Sequence, residues 1–174
     1  ALLALAETQD GSARLNTYNR ILELDPEQIT AMKKKQSFLL EIAKTAAQKG
    51  NFDAALHLYR QTGDDEGVTS VLAGKQKLAR RLALAKKREK AEDWTGAMGI
   101  YQTLLQEFPD RKDWQARLRH AANQKTLAES YLQAGLALRQ GKKDAARRLL
   151  TKIVGFQPDY KDALRYLFLV VKGI

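Results

Sequence analysis

Cysteine is absent from this chain of 174 residues, and only 3 prolines and 11 glycines interrupt it. The lack of cysteine excludes disulfide bonds, thiolate zinc sites, CxxC redox chemistry and a cysteine nucleophile. It also suits a reducing compartment, so we expect the cytoplasm, with the periplasm as the alternative. No run of 18 apolar residues occurs, which predicts that the chain does not span a membrane.

Isoleucine and valine are also scarce, with 6 and 5 copies against 25 alanines and 26 leucines. This balance favours helices over strands and predicts an all-α protein. A hydrophobic content of 44% excludes a disordered chain. The length is enough to bury roughly 70% of the unfolded surface, so we expect one folded domain over residues 1–174. Because the chain begins at Ala1 without a basic signal segment, we interpret it as a piece of a larger protein, with a processed N-terminus as the alternative.

Three segments share one pattern: a turn, then a small residue, then a large residue four positions later. These pairs, which we expect to make the contacts between helices, are Ala55 with Tyr59, Ala97 with Tyr101, and Ala146 with Leu150. In the two complete copies a proline, Pro109 or Pro158, follows the small residue by twelve positions. A weaker fourth copy ends at Pro26 and has Arg14 where a small residue is expected.

The spacing has a direct physical meaning, because a small side chain lets two helices approach and a large one a turn later fills the space beside it. A proline after the hairpin cannot continue the outgoing helix, and its fixed φ suits the first turn of the next one. At the first of these sites the pattern predicts Asp25 as an N-cap, Pro26 at the first helical position and Gln28 closing a capping box.

The pattern resembles the tetratricopeptide repeat, whose unit of about 34 residues carries these features. The units here are longer, at 41, 42 and 49 residues. The Trp-x-x-Leu-Gly signature of the family is absent, and Ala43, Ala85, and Ala134 with Gly135 stand near its close-packing site. Segments such as 157–163 are similar to the longer repeats appended to bacterial Ser/Thr kinases and other signalling proteins. The resemblance implies a right-handed α-solenoid of about four hairpins with elongated connecting helices, over approximate repeats 1–26, 27–63, 75–109 and 110–174.

The extra length of each unit has a predicted location. Apolar periodicity predicts one long helix over about 27–49 and another over about 110–140, or a helix kinked near residue 124. Between Thr62 and Gly74 the sequence lacks a proline turn. There we expect a loop, a short helix over Val68 to Ala73, and a helix from Lys75 to Lys90.

No motif of a known catalytic or cofactor site occurs in the sequence. His57 and His120 have no carboxylate at ligand or triad spacing, so we expect them on helix surfaces. The run 64–66 lacks the alternating spacing of a calcium loop, and we expect it to cap a helix and to solvate a loop. The sequence thus predicts a protein that is not an enzyme and binds neither metal nor cofactor.

Basic residues outnumber acidic ones, 30 against 20, which gives a net charge of +10. They concentrate in two predicted helices: Lys75, Lys77, Arg80, Arg81, Lys86, Lys87, Arg88 and Lys90 in the first, and Lys142, Lys143, Arg147, Arg148 and Lys152 in the second. Each helix keeps an apolar stripe, so a solvated face is the simplest interpretation. A nucleic-acid-binding surface is the alternative, although no aromatic residues interleave with the cations.

The resemblance further implies a concave groove that binds peptides and is lined by the first helix of each hairpin. Carried onto this sequence, that groove would contain Lys44, Gln48, Lys86, Lys90, Tyr131 and Arg139. Its cations would favour an acidic partner, either a separate protein or another domain of the parent chain. The alternative is that these residues only solubilise a spacer. The apolar run 166–171 is expected to pack on the last hairpin or on a neighbouring element.

Overall fold

A computed structural model describes residues 1–172; Gly173 and Ile174, the end of the repeat predicted over 110–174, lie outside the described residues. Within 1–172 every regular element is an α-helix, which confirms the predicted all-α class. The chain divides into two compact units, Ala1–Arg81 and Leu82–Ile174. A single repeat domain over the whole chain stays a prediction.

The helices follow one another through short turns. They are α1 (Leu2–Thr8), α2 (Gly11–Leu24), α3 (Ile29–Gln48), α4 (Phe52–Thr62), α5 (Asp65–Lys90), α6 (Trp94–Glu107), α7 (Lys112–Arg139), α8 (Lys143–Phe156) and α9 (Ala163–Lys172). The long helices predicted over 27–49 and 110–140 are confirmed as α3 and α7, and α7 is assigned as one helix through residue 124. The boundary between the two units falls within α5.

Alanines are fully buried at matched positions of successive helices. Ala43 on α3 and Ala55 on α4 are both 0% exposed, and twelve residues separate them. The same separation joins two further buried pairs, which are Ala85 with Ala97 and Ala134 with Ala146. Since an alanine adds only a methyl group to the helix surface, these positions allow the helix axes to approach closely.

The three prolines all lie in the turns that join one hairpin to the next. In each turn the residue before proline accepts a hydrogen bond from the amide three positions later, as from Gln28 to Asp25 at 3.2 Å and from Tyr160 to Gln157 at 3.1 Å. Proline therefore occupies the second position of a β-turn, which its fixed φ favours. The predicted capping box at residues 25–28 is wrong: Asp25 ends α2 by donating to the carbonyl of Ile21, and α3 begins only at Ile29.

The turns inside the hairpins share a different geometry. Gly50, Glu92 and Gly141 each adopt a left-handed backbone, with φ of 74°, 55° and 69°. The following amide then donates to the carbonyl five residues earlier, as from Asp93 to Arg88 at 2.9 Å. This is the Schellman motif, which satisfies carbonyls that the helix end leaves unpaired. Glycine suits the left-handed position, and Glu92 holds it without that advantage.

Helix α5 corrects the prediction of a loop and two helices between Thr62 and Lys90. It runs unbroken from Asp65, and Asp64 caps it by accepting a hydrogen bond from the Gly67 amide at 2.9 Å. The glycines that indicated a break serve packing instead. A β-carbon at Gly67 would collide with the ring of Tyr59, and one at Gly74 would lie 3.3 Å from the ring of Phe52. Both aromatic residues belong to α4, so the glycines make room for that helix.

Each unit has its own apolar core near its chain end. In the first unit Tyr18, Ile21 and Ala31 are buried with Ala6, and the guanidinium of Arg14 lies 4.9 Å from the centre of the Phe38 ring. At the position where the other copies have a small residue, the long side chain of Arg14 thus lies over an aromatic ring.

In the second unit α9 packs on a core of α7 and α8 residues. Ala163 is fully buried, and Leu167 and Val170 pack beside it. The opposite side of the helix exposes Leu164, Phe168 and Val171, each by more than half of its surface. The predicted contact of the run 166–171 with the last hairpin is thus made by one side of α9.

The buried position of Ala97 generates a stability prediction. Ala97→Trp must push apart the helices around a side chain that is 0% exposed, and we expect it to cost about 1–3 kcal/mol of unfolding free energy. Lys143→Glu, on the exposed side of α8, should change the unfolding free energy little. Chemical denaturation measures both. Equal losses in the two variants would contradict the packing described here.

A second prediction follows from the contact between Gly67 and Tyr59. Gly67→Ala improves helix propensity by about 1 kcal/mol, but the new methyl group displaces the Tyr59 ring, so we expect a net loss of stability. Gly99→Ala on α6 is the matched control, because a β-carbon there meets no atom within 4 Å. It should raise the melting temperature. A stabilised Gly67→Ala variant would show that Tyr59 moves aside at no cost.

Candidate functional site

A groove of about 390 Å³ lies in the second unit, where α7, α8 and α9 meet. We call it the α7/α9 groove. It is lined by Tyr131, Leu132, Ala134, Gly135, Leu136, Leu138 and Arg139 of α7, Leu150 of α8 and Tyr166 of α9. The volume falls at the lower end of the range of ligand pockets, roughly 300–1,000 Å³. Most of the lining is apolar, and the single charged side chain is Arg139.

One side of α7 forms the floor of the groove. Leu132 and Leu136 stand one turn apart and are 62% and 38% exposed, whereas Ala134 and Ala137 on the buried side are at or below 8%. Gly135 lies beside the two leucines, toward Tyr131 and Leu138, and a β-carbon built on it meets no atom within 4 Å. The helix therefore presents bare backbone at this point, with open space above it.

Tyrosine side chains form a wall of the groove. The Tyr131 ring lies 6.3 Å from that of Tyr166 and 5.9 Å from that of Tyr160, with an edge-to-face angle of 73° to the latter. Burial raises the pKa of the Tyr131 hydroxyl, with a further contribution from Tyr166. The phenol is therefore neutral at physiological pH and able to donate a hydrogen bond.

A charged pair lies beside this aromatic wall. The Lys161 ammonium donates a hydrogen bond to Glu92 Oε2 at 2.6 Å and lies 5.6 Å from the centre of the Tyr160 ring. The hydrogen bond to Glu92 raises the pKa of Lys161. Both residues of the pair have left-handed backbones, with φ of 55° and 47°. The pair joins the turn before α6 to the turn before α9.

Arg139 differs from Lys161 because none of the ion pairs among residues 1–172 includes it. It lies in the last turn of α7, one turn beyond Leu136. An exposed guanidinium without an internal partner is available to a carboxylate from outside the chain.

The predicted groove residues divide between the two units. Lys44 and Gln48 are exposed on α3 in the first unit, and Lys86 and Lys90 are exposed on α5 in the second. Tyr131 and Arg139 line a common pocket, the α7/α9 groove. Sequence analysis did not assign Leu132, Leu136 or Tyr166 to a groove, and it placed Gly135 near a close-packing site, whereas a β-carbon at Gly135 meets no atom within 4 Å. The two leucines could have been found from the helical period, since they lie on a different side of α7 from its buried alanines.

A second depression, of about 460 Å³, lies in the first unit beside α2 and α3. Its lining combines the cations Arg14, Lys33 and Lys34 with the carboxylates of Glu7 and Glu41. Lys34 pairs with Glu7, and Arg14 covers Phe38. The lining mixes charges of both signs and carries one apolar side chain besides Tyr18, that of Phe38, so this depression offers a ligand less apolar surface than the α7/α9 groove does.

The basic helices show the expected amphipathic division. On α8, Ala146, Leu150 and Ile153 are buried while Arg147, Arg148 and Lys152 are exposed, without a carboxylate partner in the part of the chain that is described. On α5 some of the charge is already neutralised. Lys75 pairs with Asp53, and Arg88 pairs with Asp93.

The residues 1–172 bring together no group of side chains that suggests metal binding. His57 and His120 are both exposed, and the His120 ring contacts that of Trp94 edge-on at 6.1 Å. Residues 1–172 contain no cluster of three or more histidine, cysteine or carboxylate side chains able to hold a metal ion. No helix in the same range is both long enough and apolar enough to cross a membrane.

Comparison with known proteins finds no family model that matches the chain and no curated protein with significant sequence similarity.

The Glu92–Lys161 pair yields a pH prediction. Because the pKa of Lys161 is raised in the folded chain, the pair stabilises the fold below the ordinary value of 10.5, and this contribution is lost as pH rises through the raised pKa. Both side chains are substantially exposed, so the contribution is less than about 1 kcal/mol. Glu92→Gln should melt slightly earlier than the wild type at neutral pH.

The Lys161 ammonium itself provides the sharper measurement. Its pKa, followed by NMR titration, should fall toward 10.5 in Glu92→Gln. Glu129→Gln, which breaks the exposed pair with Lys125 elsewhere on α7, is the control and should leave that pKa unchanged. An unaltered Lys161 titration in Glu92→Gln would show that the pair does not form in solution.

Proposed function

We propose that this chain is a non-catalytic interaction module that binds a partner protein or peptide, or another domain of its parent protein. Its architecture in this proposal is a tetratricopeptide-like, right-handed α-solenoid of about four hairpins. Its role is regulatory or scaffolding, as in the bacterial signalling proteins that carry similar repeats, and its compartment is the cytoplasm.

The α7/α9 groove is the observation that carries this proposal. A folded chain normally buries large apolar side chains or scatters them singly over its surface. Here Leu132 and Leu136 are exposed side by side in a concavity, with an aromatic wall and one unpaired cation. An apolar floor with a few polar groups at its rim is the usual composition of a binding site.

Recurrent packing supports the proposed architecture. The buried alanine pairs twelve residues apart, the Schellman turns inside hairpins and the proline turns between them recur along the chain. Such repetition suits stacked units, which provide extended surfaces for binding without catalytic chemistry.

A basic nucleic-acid-binding module is the second candidate, and the exposed cations of α8 favour it. Phosphate contacts need only such charges, and the net charge of +10 would attract any polyanion. However, α8 carries no aromatic side chain between its cations for base stacking, and α5 uses Lys75 and Arg88 in internal pairs. We therefore favour a protein partner.

Titrations at two salt concentrations distinguish these candidates. The probes are a fluorescein-labelled amphipathic peptide with leucines and glutamates, and a labelled DNA duplex of random sequence. We expect saturable peptide binding with a dissociation constant on the order of micromolar, weakened only a few-fold by added salt. Duplex binding, being driven by counterion release, should fall on the order of a hundredfold or more over the same change.

Tighter binding of the duplex than of the peptide at physiological salt would support the nucleic-acid candidate instead. Failure of the peptide and of its neutral and basic counterparts to bind at all would overturn the proposed peptide recognition. Catalytic turnover by the purified 174-residue chain would overturn the non-catalytic role.

A further inference from the structure

The geometry points to an acidic amphipathic helix as the occupant of the α7/α9 groove, an inference that rests on the proposed function and adds to it the chemistry of the partner. In this arrangement two apolar side chains of the partner fill the groove on either side of Gly135. A carboxylate of the partner pairs with Arg139. The partner helix lies along α7.

The row of groove residues on α7 matches the spacing of a helical ligand. Leu132, Leu136 and Arg139 follow one another at intervals of four and three residues, so they form one line along the helix. A partner helix that presents apolar residues at the same intervals sets its ridges into this line. An extended peptide alternates its side chains every two residues and would match only part of the row.

Gly135 allows the close approach that this packing needs. It is helical and has no atom within 4 Å of its missing β-carbon, so its space is open rather than filled by a neighbouring side chain. This distinguishes it from Gly67, whose space is occupied by Tyr59. A glycine in a helix interior costs about 1 kcal/mol relative to alanine, and no atom of residues 1–172 packs into the space beside Gly135 to offset that cost.

The charge of the groove specifies an acidic partner. Among residues 1–172, Arg139 is the only charged residue of the lining, and no carboxylate in that range forms an ion pair with it. The adjacent Lys161 is already engaged by Glu92. A carboxylate one turn beyond the partner's apolar residues would lie within reach of the Arg139 guanidinium. Hydrogen bonds between these two charged groups are strong.

Filling the groove from within tests the proposal without damaging the fold. Gly135→Leu places a side chain into the open space and should weaken the binding of the fluorescein-labelled acidic peptide by on the order of tenfold or more. Gly99→Leu on α6 is the matched control, because its β-carbon also meets no atom and it lies outside the groove. Both variants gain helix propensity and should melt no earlier than the wild type.

A second comparison tests the role of the charge. Arg139→Gln should weaken the binding of the acidic peptide by about tenfold. It should leave unchanged the binding of a peptide that has glutamines in place of the glutamates. Arg148→Gln removes the same charge from the exposed side of α8 and should alter neither titration. A peptide with serines in place of its leucines should not bind to the wild type.

The outcomes separate this inference from the proposed function. If the acidic peptide binds to the wild type and Gly135→Leu binds it equally well, the α7/α9 groove is not the site, while a protein-binding role stands. If Arg139→Gln and Arg148→Gln lose affinity equally, the attraction is general and the assignment of Arg139 is wrong. If no peptide of the set binds to the wild type, the proposed peptide recognition fails together with this inference.

Discussion

Each hairpin depends on small residues that let its two helices approach closely. The buried alanines at 43 and 55, 85 and 97, and 134 and 146 leave only methyl groups between helix backbones, so the larger side chains beside them interdigitate. A branched side chain at one of these positions would push its two helices apart, and in the second unit that would open voids beside Tyr101 or Leu150, which are almost fully buried.

Turn chemistry then determines where each helix of a pair begins. Inside a hairpin a left-handed residue reverses the chain within a few residues, whereas the proline turns delay the next helix until the third residue after Pro26 and Pro109 and the fifth after Pro158. The left-handed turn also carries a conformational cost when its residue is not glycine. Glu92 accepts a strained backbone in a position that Gly50 and Gly141 fill freely, and its ion pair with Lys161 partly offsets that strain.

Composition and periodicity were sufficient to predict the helical class, the two long helices and the cap at Asp64, because each depends on local preferences. They were insufficient at Gly67 and Gly74, where glycine had two possible meanings. A sequence does not distinguish a glycine that ends a helix from one that makes room for an aromatic ring. Here the position of α4 makes the distinction. The capping box predicted at Asp25 failed because a β-turn through Pro26 delays α3 to Ile29, which leaves Gln28 rather than Asp25 at the N-cap position.

Sequence reasoning also identified only part of the candidate site. Tyr131 and Arg139 followed from the register of a repeat, but the leucines beside them were assigned no role because leucine in a helix usually faces a core. Alanine at 134 and 137 takes the core positions of α7, which leaves Leu132 and Leu136 to face outward. Because small residues occupy the side of α7 that packs on its neighbours, the larger ones lie on its open side. The packing of the hairpin and the composition of the groove therefore have one cause.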